Sequence, residues 1–479
     1  MCGLIGYSGE FSEELLNQGL SEISHRGPDD RGTYFDREKR IGLGHCRLSI
    51  LDVSHLGHQP MISRDKSVVL VFNGEIYNYK ELRNELESKG YEFKSNSDTE
   101  VLLNLYISEG KEMLKMLNGI FTFAFFDLKT DTIFIARDGF GVKPLYISEN
   151  KDGFCFASEI KAIIKLLSDQ NEIDYQSINN YLSFMWCPGS GTPMHNIKKV
   201  LPGEAIVVER GKIKKRWKWY ELPIFKEKKL FHNKKNSIEG TRYYLKQAVK
   251  RQLVSDVPVG AFLSGGLDSS SIVAMAIENN PDISCFSIKT SGGVEKGMTD
   301  DLPYAKEVAK FLGVELNIIP ISSNKMCDDF VRMIRELDEP LSDPAVFNLK
   351  YICQLARDQG IKVLLSGAGG DDIFTGYRRH KAIAYDKYWK LFPDTIKNGI
   401  ERAAISLDQR NPYFRKLTKF MNGVSLNEDK RLANFFVWSR QKDLINIFNK
   451  DLRHIFEKFD ALDPMLNFLA PLKKSSIKP

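Results

Sequence analysis

The hydrophobic pattern of this chain changes its period near residue 237, and that change divides what the chain can fold into. Before it, short apolar or alternating runs recur between turn residues: SVVLVFNG (67–74), IFTFAFFDLKTDTIFIARD (120–138) and GFCFAS (153–158). Runs of this kind read as strands, with DLKTD as a hairpin connection. ELRNELESKG and TEVLLNLYISEG have helical spacing instead. Residues 1–205 are therefore expected to be α+β with a large β-sandwich content.

After residue 237, strands and helices alternate. GTRYYLKQAVKRQLV reads as an amphipathic helix, VPVGAFL as an apolar strand and SSSIVAMAIENN as a helix. Strand ISCFSIKT, helix LPYAKEVAKFLG and strand ELNIIP follow. Strands separated by helices of this length imply parallel α/β topology. At 479 residues the chain also exceeds the size at which one core keeps growing, so two domains are expected. The expected division is 1–205, a basic hairpin or linker at 206–236, and 237–479.

Composition narrows the class. The chain is 42% hydrophobic and 27% charged, as globular proteins are. No apolar run approaches the ~18 residues of a membrane-spanning helix. Glu10 comes early and no basic-then-apolar leader precedes it, so a cytoplasmic protein with no membrane partner is expected. Seven cysteines, scattered and without a C-x-x-C pair, fit reduced thiols rather than a disulfide scaffold or zinc ribbon. The formal charge of +6 is small for this length, and much of the basic character falls in RGKIKKRWKWYELPIFKEKKLFHNKKN (210–236). With no nucleic-acid motif beside it, that run reads as a solvated hairpin and linker, and no nucleic-acid partner is expected.

The chain opens MCGLIGYSGE. A thiol at the second position has three readings: a structural Cys, a lipidated Cys, or a nucleophile. In the last, removal of Met1 leaves Cys2 with both a thiol and a free α-amine, so nucleophile and base share one residue. Farther on, FNGEIYNY (72–79) carries Asn73-Gly74, the favoured two-residue hairpin turn. An amide side chain beside an exposed glycine N–H is also the donor pair of an oxyanion hole. Glu75 follows, SNSDTE supplies Asp98, and Arg47 in GHCRLSILD (44–52) offers a fork for a carboxylate.

Cys2-Gly3, HRGPD, HCRLSI, FNGEIYN and SDTE, in this order, resemble the class II glutamine amidotransferase domain of the N-terminal-nucleophile type. The likeness runs on through LNGIFTFAFFD, ARDGFGVKPLY and FASEIKA to KVLPGE (199–204). It implies that Cys2 attacks the glutamine side-chain amide with its own α-amine handling the proton. It assigns Asn73 and Gly74 to the oxyanion hole and Arg47 to the glutamine carboxylate. Leu48, Ser49 and Ile50 join the glutamine site, and Glu75 and Asp98 take the α-ammonium. One cation for the carboxylate and two anions for the amine agree in sign.

In the second half, SGGLDSS (264–270) sits between an apolar strand and a helix. Glycines there let backbone N–H groups converge on an anion, and the helix N-terminus favours negative charge. A Walker A loop is absent from the sequence. The motif resembles the pyrophosphate loop of the ATP-pyrophosphatase superfamily. LDEPLSDPAVFNLKYI (337–352) and VLLSGAGGDDIFTGYRRH (363–380) resemble blocks of asparagine synthetases. The likeness implies ATP and Mg²⁺ as cofactors. Leu263, Ser264, Gly265, Gly266, Asp268, Ser269, Ser270, Ile288, Ser366 and Gly367 are implied at the nucleotide, with Asp268 and Asp371 as metal ligands. A glutaminase half followed by this half is the domain order of glutamine-hydrolysing asparagine synthetases. That order implies amidation of a carboxylate, aspartate first, through an acyl-adenylate and ammonia kept from solvent. A homodimer is a further expectation.

Two departures shape the alternatives. Where that family usually has an acidic residue, this chain has Ala368, in SGAGGDD. An alanine cannot take a proton, so another carboxylate, such as a uronic acid of a surface polysaccharide, is the alternative acceptor. The blocks that usually follow, ending in a catalytic lysine, are not legible before Pro479, and Lys473, Lys474 and Lys478 read as exposed tail charges. The third expectation is accordingly a synthetase half that binds nucleotide or glutamine without completing the amide.

Overall fold

The computed structural model describes residues 1–167, 172–223, 233–291, 300–389, 392–408 and 410–474. Part of the basic stretch (224–232) and Lys478 lie outside the described residues. The chain divides into two units. The first comprises Met1–Asp174, Gly189–Ser237 and Val254–Pro258, and the second Tyr175–Pro188, Ile238–Leu253 and Val259–Pro479.

Among the described residues the first unit is built on twelve strands. They are β1 (Gly3–Gly9), β2 (Asp30–Asp36), β3 (Ile41–Arg47), β4 (Met61–Ile62), β5 (Val68–Ile76) and β6 (Gly119–Asp127). Then come β7 (Thr132–Arg137), β8 (Tyr146–Glu149), β9 (Gly153–Ala157), β10 (Lys198–Lys199), β11 (Glu204–Glu209) and β12 (Lys212–Lys218). One sheet runs β10-β8-β9-β1-β3-β2 and the other β12-β11-β7-β6-β5-β4. Every pairing in both is antiparallel.

Side-chain alternation explains the layering. Val69 and Val71 of β5 join Leu4, Leu43 and Phe156 of the opposite sheet in a core between the sheets. Val68, Leu70 and Phe72 turn the other way, against Leu82, Leu86 and Val101 of helices Tyr79–Ser88 and Asp98–Glu109. Helices Glu13–Glu22 and Ile160–Leu166 cover the outer face of the first sheet through Leu16, Leu20 and Ile163. Helix, sheet, sheet and helix thus form four layers, and the continuous apolar runs of β5 and β6 follow from burial on both faces.

The basic stretch opens as a hairpin, with β11 and β12 paired antiparallel, and that hairpin belongs to the first unit. Residue 205 lies inside β11, and β11 and β12 form the outer strands of the second sheet. Ile206 and Val208 bury themselves between the sheets, whereas most of the Lys and Arg side chains of β12 remain at its edge, exposed. Edge charges of this kind block pairing with another chain.

The second unit has a four-stranded parallel sheet of β13 (Val259–Phe262), β14 (Cys285–Ser291), β15 (Leu316–Ser322) and β16 (Val363–Leu365), ordered β15-β14-β13-β16. Helices Leu267–Ala276 and Leu302–Leu312 supply Val273, Ala276 and Ala305 to one face, and Ile352 and Ala356 of helix Ala345–Asp358 pack on Phe286. The chain moves outward from β13 to β15 and then returns to the other side of β13 as β16. This reversal places the loops after β13 and β16 side by side at the carboxyl ends of neighbouring strands, the usual ligand crevice of such sheets. Residues from 370 onward are mainly helical.

Candidate functional site

Strand parity brings the first set of residues together. Cys2 lies two positions before Leu4, and Asn73 two after Val71, and both leucine and valine face the inter-sheet core. Successive same-face positions put the Cys2 and Asn73 side chains at the mouth between the sheets. Asn73-Gly74 is not a turn, as its sequence suggests, but part of β5, paired with Thr122 and Phe121 of β6. Partners nearly fifty residues away override the local preference. A Cβ on Gly74 would collide with the Ile120 carbonyl, so the glycine serves close approach of two strands.

Asn73 is 1% exposed, and neither its amide nitrogen nor its oxygen finds a partner among the described residues. A buried amide left this way is destabilising by about 1–3 kcal/mol, and native structures keep such groups rarely.

The Cys2 sulfur accepts a hydrogen bond from the Leu48 N–H at 3.3 Å, and its carbonyl accepts one from Arg26 Nε at 3.0 Å. Arg26 is in turn fixed by Glu159, at 2.8 Å. Burial would raise the Glu159 carboxyl, but hydrogen bonds from His25 and Arg26 and the Arg26 charge bring it down to about 2. Burial raises the Cys2 thiol above its ordinary value, against the pull of the Leu48 bond. Burial also lowers the α-amine of Met1, one residue before Cys2, to about 6.

Arg47 is buried and its guanidinium is not an open fork. Nη1 donates to the Ser54 carbonyl at 2.8 Å, and Nη2 to the carbonyls of Leu51 and Asp52. A buried cation without a carboxylate needs such acceptors, and the bonds fix residues 51–54 around it. In the same loop the Ser49 N–H donates to Asp29 at 2.8 Å, and the Ile50 carbonyl accepts from the Asp256 N–H at 3.1 Å.

Glu75 and Asp98 form the acidic side. Asp98 starts helix Asp98–Glu109 and accepts the Ile76 N–H at 2.9 Å. Burial raises Asp98 to about 6, and burial together with the Asp98 charge raises Glu75 well above the usual carboxylate range. Two buried carboxylates that repel each other are a binding place for a cation. Lys143 is a member of this site that the sequence reading missed. It is 8% exposed, burial lowers its pKa, and its charge acts on Glu75 and Cys2. Asp138, fully buried, holds the Lys143 loop by accepting the N–H groups of Phe140, Val142 and Lys143 at 3.0–3.1 Å. Its only sequence signal was a charged pair inside an apolar stretch.

In the second unit a cleft of about 500 Å³ opens between the loops after β13 and β16. Ser264, Gly266, Asp268 and Ser269 line one side, and Ser366, Gly367 and Asp371 the other. Ala368 and Asp301 line it too, the latter unread in the sequence. Four residues expected at the nucleotide do not line the cleft. Leu263 is in the core, and Ile288 packs beside Phe286. Ser270 Oγ is buried without a partner among the described residues. Gly265 has φ +78° against the backbone of Tyr304 and Ala305, where a Cβ would collide, so it shapes the turn.

Asp268 and Asp371 bring hard carboxylate oxygens to one cleft. Cβ atoms on Gly370 and Gly376 would strike Asp268 and Asp371 respectively, so glycines let both backbones close in. Among the described residues no group of three or more His, Cys, Asp or Glu could hold a metal. Two carboxylates without a closed cage suit Mg²⁺, which is commonly held by one or two carboxylates plus substrate phosphates. Among the described residues no helix is long and apolar enough to cross a membrane.

Comparisons with known proteins follow the same division. A glutamine amidotransferase domain family matches residues 1–220, and an asparagine synthase family matches 240–459. Asparagine synthetase [glutamine-hydrolyzing] 1 of Bacillus subtilis is 34% identical over 464 residues, covering 95% of this chain and 71% of that protein. A putative asparagine synthetase [glutamine-hydrolyzing] 2 of Methanocaldococcus jannaschii is 36% identical, covering 100% of this chain and 88% of its own length. An amidase of Gibberella zeae, chry2, is 29% identical over 77% of this chain and 56% of its own.

Proposed function

Because the chain belongs to the glutamine-hydrolysing asparagine synthetase family, and is thereby an ATP-dependent ligase that takes amide nitrogen from glutamine, we propose that its acceptor is aspartate. The products are then asparagine, glutamate, AMP and pyrophosphate. The fold carries the two activities separately, an N-terminal-nucleophile glutaminase sandwich and an α/β unit of ATP-pyrophosphatase type.

In the first half-reaction Met1 is removed and the Cys2 thiol attacks the glutamine amide carbon, passing its proton to the α-amine. The oxyanion is received by the Asn73 amide and Gly74 N–H. Arg47, through the guanidinium N–H groups left over from its three bonds to residues 51–54, and its loop 48–50 take the substrate carboxylate, and Glu75 and Asp98 take the α-ammonium. Collapse of the adduct expels ammonia and leaves a thioester, which water hydrolyses to glutamate. Lys143 adds positive potential where the sulfur gains negative charge.

In the second, a carboxylate oxygen of the acceptor attacks the α-phosphorus of ATP and pyrophosphate leaves. Ammonia attacks the acyl carbon, AMP leaves with the bonding pair, and the nitrogen loses a proton. Ser264, Gly266, Ser269, Ser366 and Gly367 cradle the nucleotide. Mg²⁺ on Asp268 and Asp371 would neutralise the phosphate charge. The observation that carries the reading is the convergence of the Ser264 and Ser366 loops, with both aspartates, on one switch-point cleft.

Ala368 in that cleft supports a second reading, amidation of a different carboxylate such as a uronic acid, because no acid at this place assists amination. Supplying Mg·ATP, ammonium and aspartate bypasses glutamine and separates the two. Asparagine formed in step with pyrophosphate supports the first. Pyrophosphate appearing only with a sugar acid supports the second.

A further inference from the structure

The loop after β3 governs the glutamine site, because it carries Arg47's carbonyl acceptors and the Leu48 N–H that touches the Cys2 sulfur. Its centre is Asp52. This residue has φ +51°, a conformation that L side chains adopt at a cost and keep only when surrounding contacts determine it. Asp52 is 8% exposed and bonded on every side. Its carboxylate accepts from the Ser54 N–H at 3.1 Å and from the Asn96 N–H at 2.7 Å, and its carbonyl accepts from Arg47.

The remaining anchor comes from far along the chain. Asp256 Oδ2 accepts the Asp52 N–H at 2.7 Å, and the Asp256 N–H donates to the Ile50 carbonyl at 3.1 Å. One residue therefore clamps the backbone on both sides of Leu51. Asp256 falls outside the 1–220 match to glutamine amidotransferases and inside the 240–459 match to asparagine synthases. Its segment, Val254–Pro258, nonetheless groups with the first unit, and the chain then runs directly into β13.

We propose that Asp256 is a positioning residue for glutamine recognition, so that the glutamine pocket is completed by a segment of the synthase-matching half. Asp256 reaches the substrate through other groups. It holds the Ile50–Asp52 backbone, whose carbonyls orient the Arg47 guanidinium, and Asp52 passes the restraint to Asn96, next to the helix that begins at Asp98. Loss of the clamp loosens both the carboxylate and the ammonium ends of the pocket, while the thiol, its amine and Asn73 stay in place.

The proposal rests on the reading of the Cys2 site as a glutaminase, and the test separates the two. Glutamate release by the full chain is measured against glutamine concentration for the wild type, Asp256→Ala and Asp256→Asn, with thermal melting of each. Asp256→Ala is expected to raise KM about tenfold, the scale of one lost charge-assisted hydrogen bond, and to change kcat less. Asp256→Asn keeps an oxygen for the Asp52 N–H and is expected within about threefold of wild type. Should the alanine variant fail to fold, Asp256→Glu, which displaces the carboxylate by one methylene, must raise KM in the same way. Wild-type KM in the alanine or glutamate variant, or an asparagine variant as impaired as alanine, overturns the role of Asp256. No glutamate release from the wild type overturns the glutaminase reading instead.

Discussion

The two reaction centres are built in opposite ways. The first lies inside a sandwich, on strand interiors and a clamped loop, with Asn73 1% and Asp98 4% exposed. The second lies on glycine-rich loops at strand ends, where Leu267 is 82% exposed and Ser264, Ala368 and Asp371 are open to solvent. The difference follows the chemistry. A glutaminase must place donors before a small neutral amide arrives, so its polar groups are fixed in advance by the fold. A nucleotide brings its own charge and bulk, so loops with free N–H groups and carboxylates suffice until it binds.

The comparison breaks most plainly at the thiol. Cys2→Ala should lower glutamate release by roughly 10⁴-fold, while amide formation from ammonium persists, since a nucleophile has no substitute. Loss of both activities together would mean that the centres are not separable. The mirror test lies in the cleft: Asp371→Asn is expected to slow pyrophosphate release from Mg·ATP by about 10²–10³-fold and leave glutamine hydrolysis within about twofold. Equal loss of glutamine hydrolysis would remove the distinction between a preformed site and an open one.

The smallest effect is in pH. Asp98, raised to about 6, must be ionised to hold the substrate ammonium. Because that carboxylate acts in its charged form, kcat/KM for glutamine is expected to rise with pH through about 6 and level off above it. A profile flat from pH 5 to 7 would contradict the buried character assigned to Asp98.

Much of this was legible because the signals were local. The hydrophobic period separated the two architectures, and the order of short motifs, through the family resemblance, singled out Cys2, Asn73, Glu75 and Asp98. What escaped depended on distant partners. Asn73-Gly74 looks like a turn until β6 pairs with it, and the basic hairpin reads as lying between domains until Ile206 and Val208 find the core of the first. Asp256 bonds a residue 204 positions away, a separation that no periodicity encodes. In the second unit the glycine loops were visible, and Ile288 and Leu263, placed by resemblance at the nucleotide, pack against their neighbours beside the cleft rather than lining it.

The unpartnered Asn73 side chain also bears on how such an enzyme responds to selection. Replacing it with an apolar residue of similar size removes a buried donor and acceptor that the folded chain leaves unsatisfied, and such replacements are often neutral or stabilising. A search for heat-tolerant variants, blind to turnover, would therefore drift toward discarding this amide. Function and robustness pull against each other at one position of β5, and only a screen that demands glutamine use would hold the asparagine in place.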